Sequence, residues 1–146
     1  MISDVRTLKA LADETRLRLL MLLRRRELFV CQLMAMTGIS QPLVSRSLAL
    51  LERAGLLDSR RSGKQVFYRL KPEPPPLAAA VLDALGALPT AGPFARDRDS
   101  LELFCRRFQR GRTGCDMGML REFIEFRNKN PREGVTHGKT GQERVH

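Results

Sequence analysis

"ELFVCQLMAMTGISQPLVSRSLALLERAGLL", residues 27–57, decides the fold. Val30, Leu33, Met34 and Ala35 give one short helix. Gly38 stops that helix in a tight turn, Ile39 reads as a buried plug, and Ser40 stands where the next helix wants an N-cap. In that second helix Val44, Leu48 and Leu51 follow i, i+4 and i+7 and face inward. Pro42 is compatible with it because the first helical turn has no internal amide bond to lose. The pattern is a helix-turn-helix. With its apolar positions turned inward, Gln41, Ser45, Arg46 and Ala49 lie outside near the N-terminal half, the part that such motifs insert into the major groove.

The flanking residues extend the motif. Upstream, "DVRTLKALADETRLRLLMLLRRR" reads as two helices parted at Asp13, whose carboxylate can accept the free amides of the following turn. Arg24, Arg25 and Arg26 then fall at the second helix's C-terminus, where cations complement the dipole. Downstream, Ala54-Gly55 ends the reading helix, and "LLDSRRSGKQVFYRL" reads as two short strands around a Ser62-Gly63 turn, with Val66, Tyr68 and Leu70 alternating. Arg60, Arg61 and Lys64 crowd its tip. A helix-turn-helix followed by a basic hairpin is a winged helix whose tip reaches backbone phosphate or an adjacent minor groove.

Charge agrees with that geometry. The net charge is +10, and residues 1–71 hold 14 Lys and Arg against 6 Asp and Glu, so most of the excess sits in the winged-helix half. Such a face suits a polyanion, and double-stranded DNA is favoured over membrane because no long basic amphipathic helix accompanies it. The apolar runs are far too short for a bilayer span and no signal-peptide pattern precedes them, which places the protein in the cytoplasm.

"KPEPPP", residues 71–76, breaks the chain after the hairpin. "LAAAVLDALGAL" then reads as a helix apolar on nearly every side, assigned with the first helix to a homodimer interface. Residues 89–97 read as a connection, "SLELFCRRFQR" as a helix with Leu101, Phe104, Cys105 and Phe108 on one face, "GRTGCDMG" as a loop carrying Cys115, and "MLREFIEF" as a last amphipathic helix. The expected architecture is mainly α with a small β-hairpin: a winged helix-turn-helix, dimeric. Residues 1–88 form the DNA-binding and dimerisation domain, 89–127 a helical extension carrying Cys105 and Cys115, and 128–146 a flexible tail.

The sequence holds no GxGxxG or P-loop, no acidic cluster for hard metals, and only two histidines, His137 and His146, both in the tail. No enzyme and no organic cofactor are expected. The chemistry lies in Cys31, Cys105 and Cys115. Cysteine is among the most buried residue types, so Cys31 and Cys105 also read as core. If the three converge, thiolates without histidine select a soft species. Zinc wants four ligands and is not expected; trivalent arsenic or antimony is satisfied by three sulfurs. Two of the same thiols could instead form a disulfide or polysulfide.

"LADETRLRLLMLL", "ELFVCQL", "GISQPLVSRSLALLERAGLL" and "RRSGKQVFYRL" together resemble the ArsR/SmtB family of metal-responsive winged-helix repressors, over about residues 5–70. "TGCDM" is similar to the C-terminal end of an arsenical-resistance branch. The resemblance implies a homodimer that holds an operator and leaves it when inducer, here As(III) or Sb(III), binds. In arsenic-sensing members the stretch at 27–33 is typically ELCVCDL with both cysteines ligating; here the second matches Cys31 and the first is Phe29. Cys105 and Cys115 would then complete the metal site. Other members place zinc-type sites on the helix after the wing, where this chain has Asp83 and no histidine. Redox- and sulfide-sensing members use cysteines that Cys31 and Cys105 could imitate, and a non-sensing protein that coats DNA without sequence preference is a further alternative.

Overall fold

A computed structural model describes residues 2–87, 92–108 and 117–131. Two helices open the chain, α1 (Ile2–Leu11) and α2 (Glu14–Leu23). They part at Asp13, which is extended, and its carboxylate accepts the Arg16 amide at 3.0 Å. Leu19, Leu20, Leu22 and Leu23 of α2 are buried.

A short strand β1 (Leu28–Phe29) leads into α3 (Val30–Thr37), and the Phe29 amide donates to Gln32 Oε1 at 3.0 Å across the first turn of that helix. Gly38 ends α3 at φ 72°, a left-handed conformation that costs other residues about 1 kcal/mol or more. Its amide returns to the Met34 carbonyl at 2.8 Å. α4 (Gln41–Arg53) follows with Ser40 at its N-cap; the backbone there is extended as a cap requires, but the Ser40 side chain makes no capping bond. Val44, Ser47, Leu48 and Leu51 of α4 are buried. Each of its large apolar side chains contributes about 2 kcal/mol by leaving water.

The wing is a hairpin of β2 (Leu57–Ser62) and β3 (Gln65–Leu70). Ser62 pairs with Gln65, so the turn is Gly63-Lys64, one residue later than the expected Ser62-Gly63. Gly63 at φ 61° takes the left-handed position that a two-residue hairpin turn demands. The sheet has three strands rather than two, in the order β1-β3-β2, because Leu28 and Phe29 pair antiparallel with Tyr68 and Phe67. Phe29 and Phe67 meet edge to face, 5.3 Å between centroids. Phe29 therefore anchors the wing to the head of α3.

α5 (Pro76–Ala87) packs on α1 and α2, and its Ala78 and Leu82 are buried. Its Ala80, Asp83, Ala84 and Ala87 remain exposed, as do Val5 and Leu8 on α1. α6 (Pro93–Arg107) begins within the stretch 89–97 expected to be a connection. Pro93, without an amide to leave unpaired and with φ already helical, starts the helix after Gly92 instead of breaking the chain. α7 (Met117–Lys129) completes the described chain. α6 packs against α2 and α3, and α7 against α3; Phe104 and Phe123, 5.4 Å apart and edge to face, join the same buried cluster as Leu33, Leu48 and Leu51. No described helix is long and apolar enough to cross a membrane.

Candidate nucleic-acid interface and thiol site

The burial of Val44, Leu48 and Leu51 fixes which face α4 presents. Gln41, Ser45, Arg46 and Ala49 are all exposed on it. Arg46 makes only a long 3.4 Å contact from Nε to the Pro42 carbonyl, one turn back along its own helix. Arg61 and Lys64 are exposed at the wing tip. Arg60 differs: its Nε pairs with Glu27, and its guanidinium lies 4.8 Å from the Phe67 ring centroid. A phosphate would have to compete with that carboxylate for Arg60, whereas Arg61 and Lys64 are exposed at the tip.

Arg24, Arg25 and Arg26 follow the end of α2 as expected: Arg24 is its C-cap, and the Arg24 and Arg25 amides donate to the Leu20 and Leu22 carbonyls. Their side chains also find acceptors that α5 and α6 bring alongside. Arg24 donates to the Leu82 carbonyl at 2.6 Å and pairs with Asp83; Arg25 pairs with Glu102 at 2.9 Å; Arg26 Nη1 donates to Cys105 Sγ at 2.6 Å.

Sequence reasoning missed two contacts that hold the reading head. Arg18 of α2 makes a bidentate pair with Asp97 of α6, both bonds 2.8 Å, while the same guanidinium donates at 2.8 Å to the carbonyl of Thr37, the last residue of α3. Asp97 is 3% exposed. Burial pushes its carboxyl above the usual carboxylate range against the opposing pull of Arg18, whose own pKa the shared hydrogen bond raises. In the second contact Arg127 of α7 donates to the Ala35 carbonyl within α3. Acidic and basic residues 79 and 92 positions from their partners carry no local sequence signal.

Both described cysteines are free thiols, each half-buried. Cys31 lies in the first turn of α3 and opens into a cleft of about 430 Å³ bounded by α3, the Gly38–Ser40 turn and α7. Cys105 lies on α6, which packs against α3. Cys115 lies outside the described residues. Among the described residues no three His, Cys, Asp or Glu side chains are grouped as a metal site.

An exposed polar helix face set beside a basic hairpin defines a winged-helix, DNA-binding protein. Residues 13–59 match the family model of the bacterial regulatory protein, arsR family. The chain is 49% identical over 80 residues to the arsenical resistance operon repressor of Escherichia coli, covering 54% of this chain and 68% of that one. It is 49% identical over 75 residues to an arsenic resistance transcriptional regulator of Pseudomonas putida, covering 51% of this chain and 59% of that one. Among solved structures it is similar to reduced HlyU of Vibrio cholerae (TM-score 0.55, 34% identity, 62% of this chain and 92% of that one). It is also similar to the transcriptional repressor BigR of Xylella fastidiosa (TM-score 0.52, 35% identity, 60% and 87%). The chain belongs to the arsR family and is a transcriptional repressor of that family.

Proposed function

We propose that this repressor works as a homodimer on a two-fold operator and lets go when trivalent arsenic, or antimony, binds its thiolates. Gln41, Ser45 and Arg46 read base edges, while Arg61 and Lys64, with Arg60 behind them, hold phosphate. Residues 1–88 supply DNA binding and dimerisation, with Val5 and Leu8 of α1 and the uncovered side of α5 as the self-complementary face. The extension at 89–127 supplies the remaining thiols.

One observation carries the inducer reading: Cys31 opens into a cleft whose far wall starts at Met117, two residues after Cys115 in the chain. Cys115, just ahead of that wall in the sequence, is the second ligand of this reading. Cys105, on a helix packed against α3, is the remaining ligand. Three thiolates satisfy As(III) without the fourth ligand that zinc wants. The similarity to arsenical and arsenic resistance regulators supports the same inducer. Bridging α3 to the extension stabilises a dimer in which the two reading helices no longer match half-sites about 34 Å apart. A coupling of about 3 kcal/mol weakens operator binding roughly 150-fold.

A second reading, a redox switch between Cys31 and Cys105, draws on the packing of α3 against α6 and on the likeness to reduced HlyU. Operator affinity by fluorescence anisotropy, with arsenite, zinc or an organic polysulfide added to wild type and Cys31→Ser, separates the two. Release of wild type by arsenite and its loss in the variant is the expected result. Release by polysulfide alone overturns the arsenic assignment, and insensitivity to all three leaves a repressor whose thiols are packing.

A further inference from the structure

Four large apolar side chains stand exposed among the described residues: Val5, Leu8, Leu43 and Met117. Val5 and Leu8 lie on the α1 face proposed above for dimerisation, and Met117 begins α7. Leu43 differs in its place. It is 39% exposed in the first turn of α4, between Gln41 and Ser45, and both Pro42 beside it and Ala49 further along are exposed as well. One turn on from Leu43 stand Arg46, exposed, and Ser47, buried, so Leu43 lies at the edge of the outward face. The Arg46 side chain runs back toward it, with Nε 3.4 Å from the Pro42 carbonyl. Long side chains on a helix lean toward its N-terminus, so Leu43 covers the end of α4 that such motifs insert into the groove.

We propose that Leu43 is a specificity-determining residue that reads the C5-methyl group of a thymine in each half-site. The proposal rests on α4 as the reading helix and adds a contact that its polar residues cannot supply. Base edges in the major groove present hydrogen-bond donors and acceptors, and the thymine methyl is the one alkyl group among them. Set against that methyl, Leu43 gains by removing apolar surface from water. Set against an amino or keto group, it strips water from a polar atom and returns no hydrogen bond, which is costly. Leucine here therefore favours thymine and penalises the other bases. Residues three apart on a helix are about 5–6 Å apart at Cβ, and successive base pairs rise about 3.4 Å. The thymine then falls within about two base pairs of the base that Arg46 reads.

The test uses the DNA site that the reduced protein selects from a random duplex pool. Each thymine of that site is replaced in turn by deoxyuridine, which removes the methyl group alone, and affinity is read by fluorescence anisotropy. The base read by Arg46 is the position at which Arg46→Ala loses discrimination. For wild type, one thymine per half-site near that base should lower affinity about fourfold when its methyl is removed, the worth of one buried methyl group. Leu43→Ser should bind the thymine and uridine sites equally, while Leu43→Met, which keeps an apolar side chain, should retain the preference. Both variants should keep the salt slope of wild type, because no phosphate contact is lost. Indifference of wild type to every replacement, or a thymine preference that survives in Leu43→Ser, overturns the proposal and leaves Arg46 as the reader. A pool that yields no preferred site overturns the reading of α4 itself, and the role of Leu43 falls with it.

Discussion

Replacing Asp97 by alanine tests how the reading head is held. In the native chain Asp97 is 3% exposed, and both of its oxygens bond Arg18 at 2.8 Å. Alanine leaves the Arg18 guanidinium, whose side chain is 19% exposed, with the Thr37 carbonyl and no counter-charge. Breaking a buried pair by removing one partner costs about 3–5 kcal/mol. Arg18 keeps some water, so the lower end applies, about 3 kcal/mol by that reasoning. In a chain of this size that lowers the melting temperature by roughly 10 °C. Removing both charges is a different perturbation. Arg18→Met with Asp97→Leu takes away the desolvation cost along with the attraction and sacrifices mainly the bond to Thr37, about 1 kcal/mol. Urea unfolding of wild type, Arg18→Met, Asp97→Leu and the double variant gives the cycle, with Asp97→Ala measured beside them. A double variant within about 1 kcal/mol of wild type, beside an Asp97→Ala that loses about 3, is the expected pattern. If Asp97→Ala loses under about 1 kcal/mol, or the double variant loses the sum of the singles, the clamp does not bear on stability as argued.

The same carboxyl predicts a pH effect. Its native pKa is raised above the ordinary 3.8, so the folded chain keeps this proton to higher pH than the unfolded chain does. Stability relative to Asp97→Asn should therefore fall as pH rises from about 4 through the native value and then level off; a difference that grows with pH in urea midpoints contradicts the assignment. Arg46→Ala should erase discrimination between operator and random DNA, which is at least about 10³ for a specific repressor. Lys64→Ala should instead weaken all DNA alike and flatten the salt slope by about one; the reverse pattern misplaces the reading surface. Gly38→Val forces a β-branched residue to φ 72° and should cost more than about 1 kcal/mol in thermal unfolding, although no atom crowds a Cβ there. Leu8→Glu puts a charge on the exposed side of α1 and should shift sedimentation from dimer to monomer at micromolar protein without unfolding the chain.

What the residues reveal in advance divides by the range of the interaction. The helix-turn-helix is legible because each of its determinants is local: Val44, Leu48 and Leu51 by spacing, Gly38 by its turn, Asp13 by its cap. Outward placement of Gln41, Ser45 and Arg46 follows from the same periodicity. Phe29 is harder. As a position that resembles a lost ligand it looks like a deficit, but in the fold it is 2% exposed, pairs across to β3 and packs on Phe67. Nothing near it in sequence announces that partner, 38 residues on. The arginines after α2 are legible only in part: their place at the helix end is local, whereas the partners Asp83, Glu102 and Cys105 come only with the docking of α5 and α6.

Those distant contacts carry the functional argument. A helix-turn-helix that only bound DNA would need α3 and α4 packed on α2. Here α3 is also held at two backbone carbonyls, Thr37 by Arg18 of α2, which Asp97 of α6 fixes in turn, and Ala35 by Arg127 of α7. Cys31 opens into the cleft between α3 and α7, and the second tie crosses beside it. A ligand that pulls sulfur atoms together there would shift α7 relative to α3 or strain the Arg127 contact, and Gly38 and Ser40, at the ends of α3 and α4, line the same cleft. If the extension transmits the signal in this way, Arg127→Met should leave operator binding nearly intact and reduce the arsenite-induced loss of affinity from about 150-fold by tenfold or more. A variant that still responds fully would show that the signal reaches α4 by another route, such as the face of α1 and α5 proposed above for dimerisation.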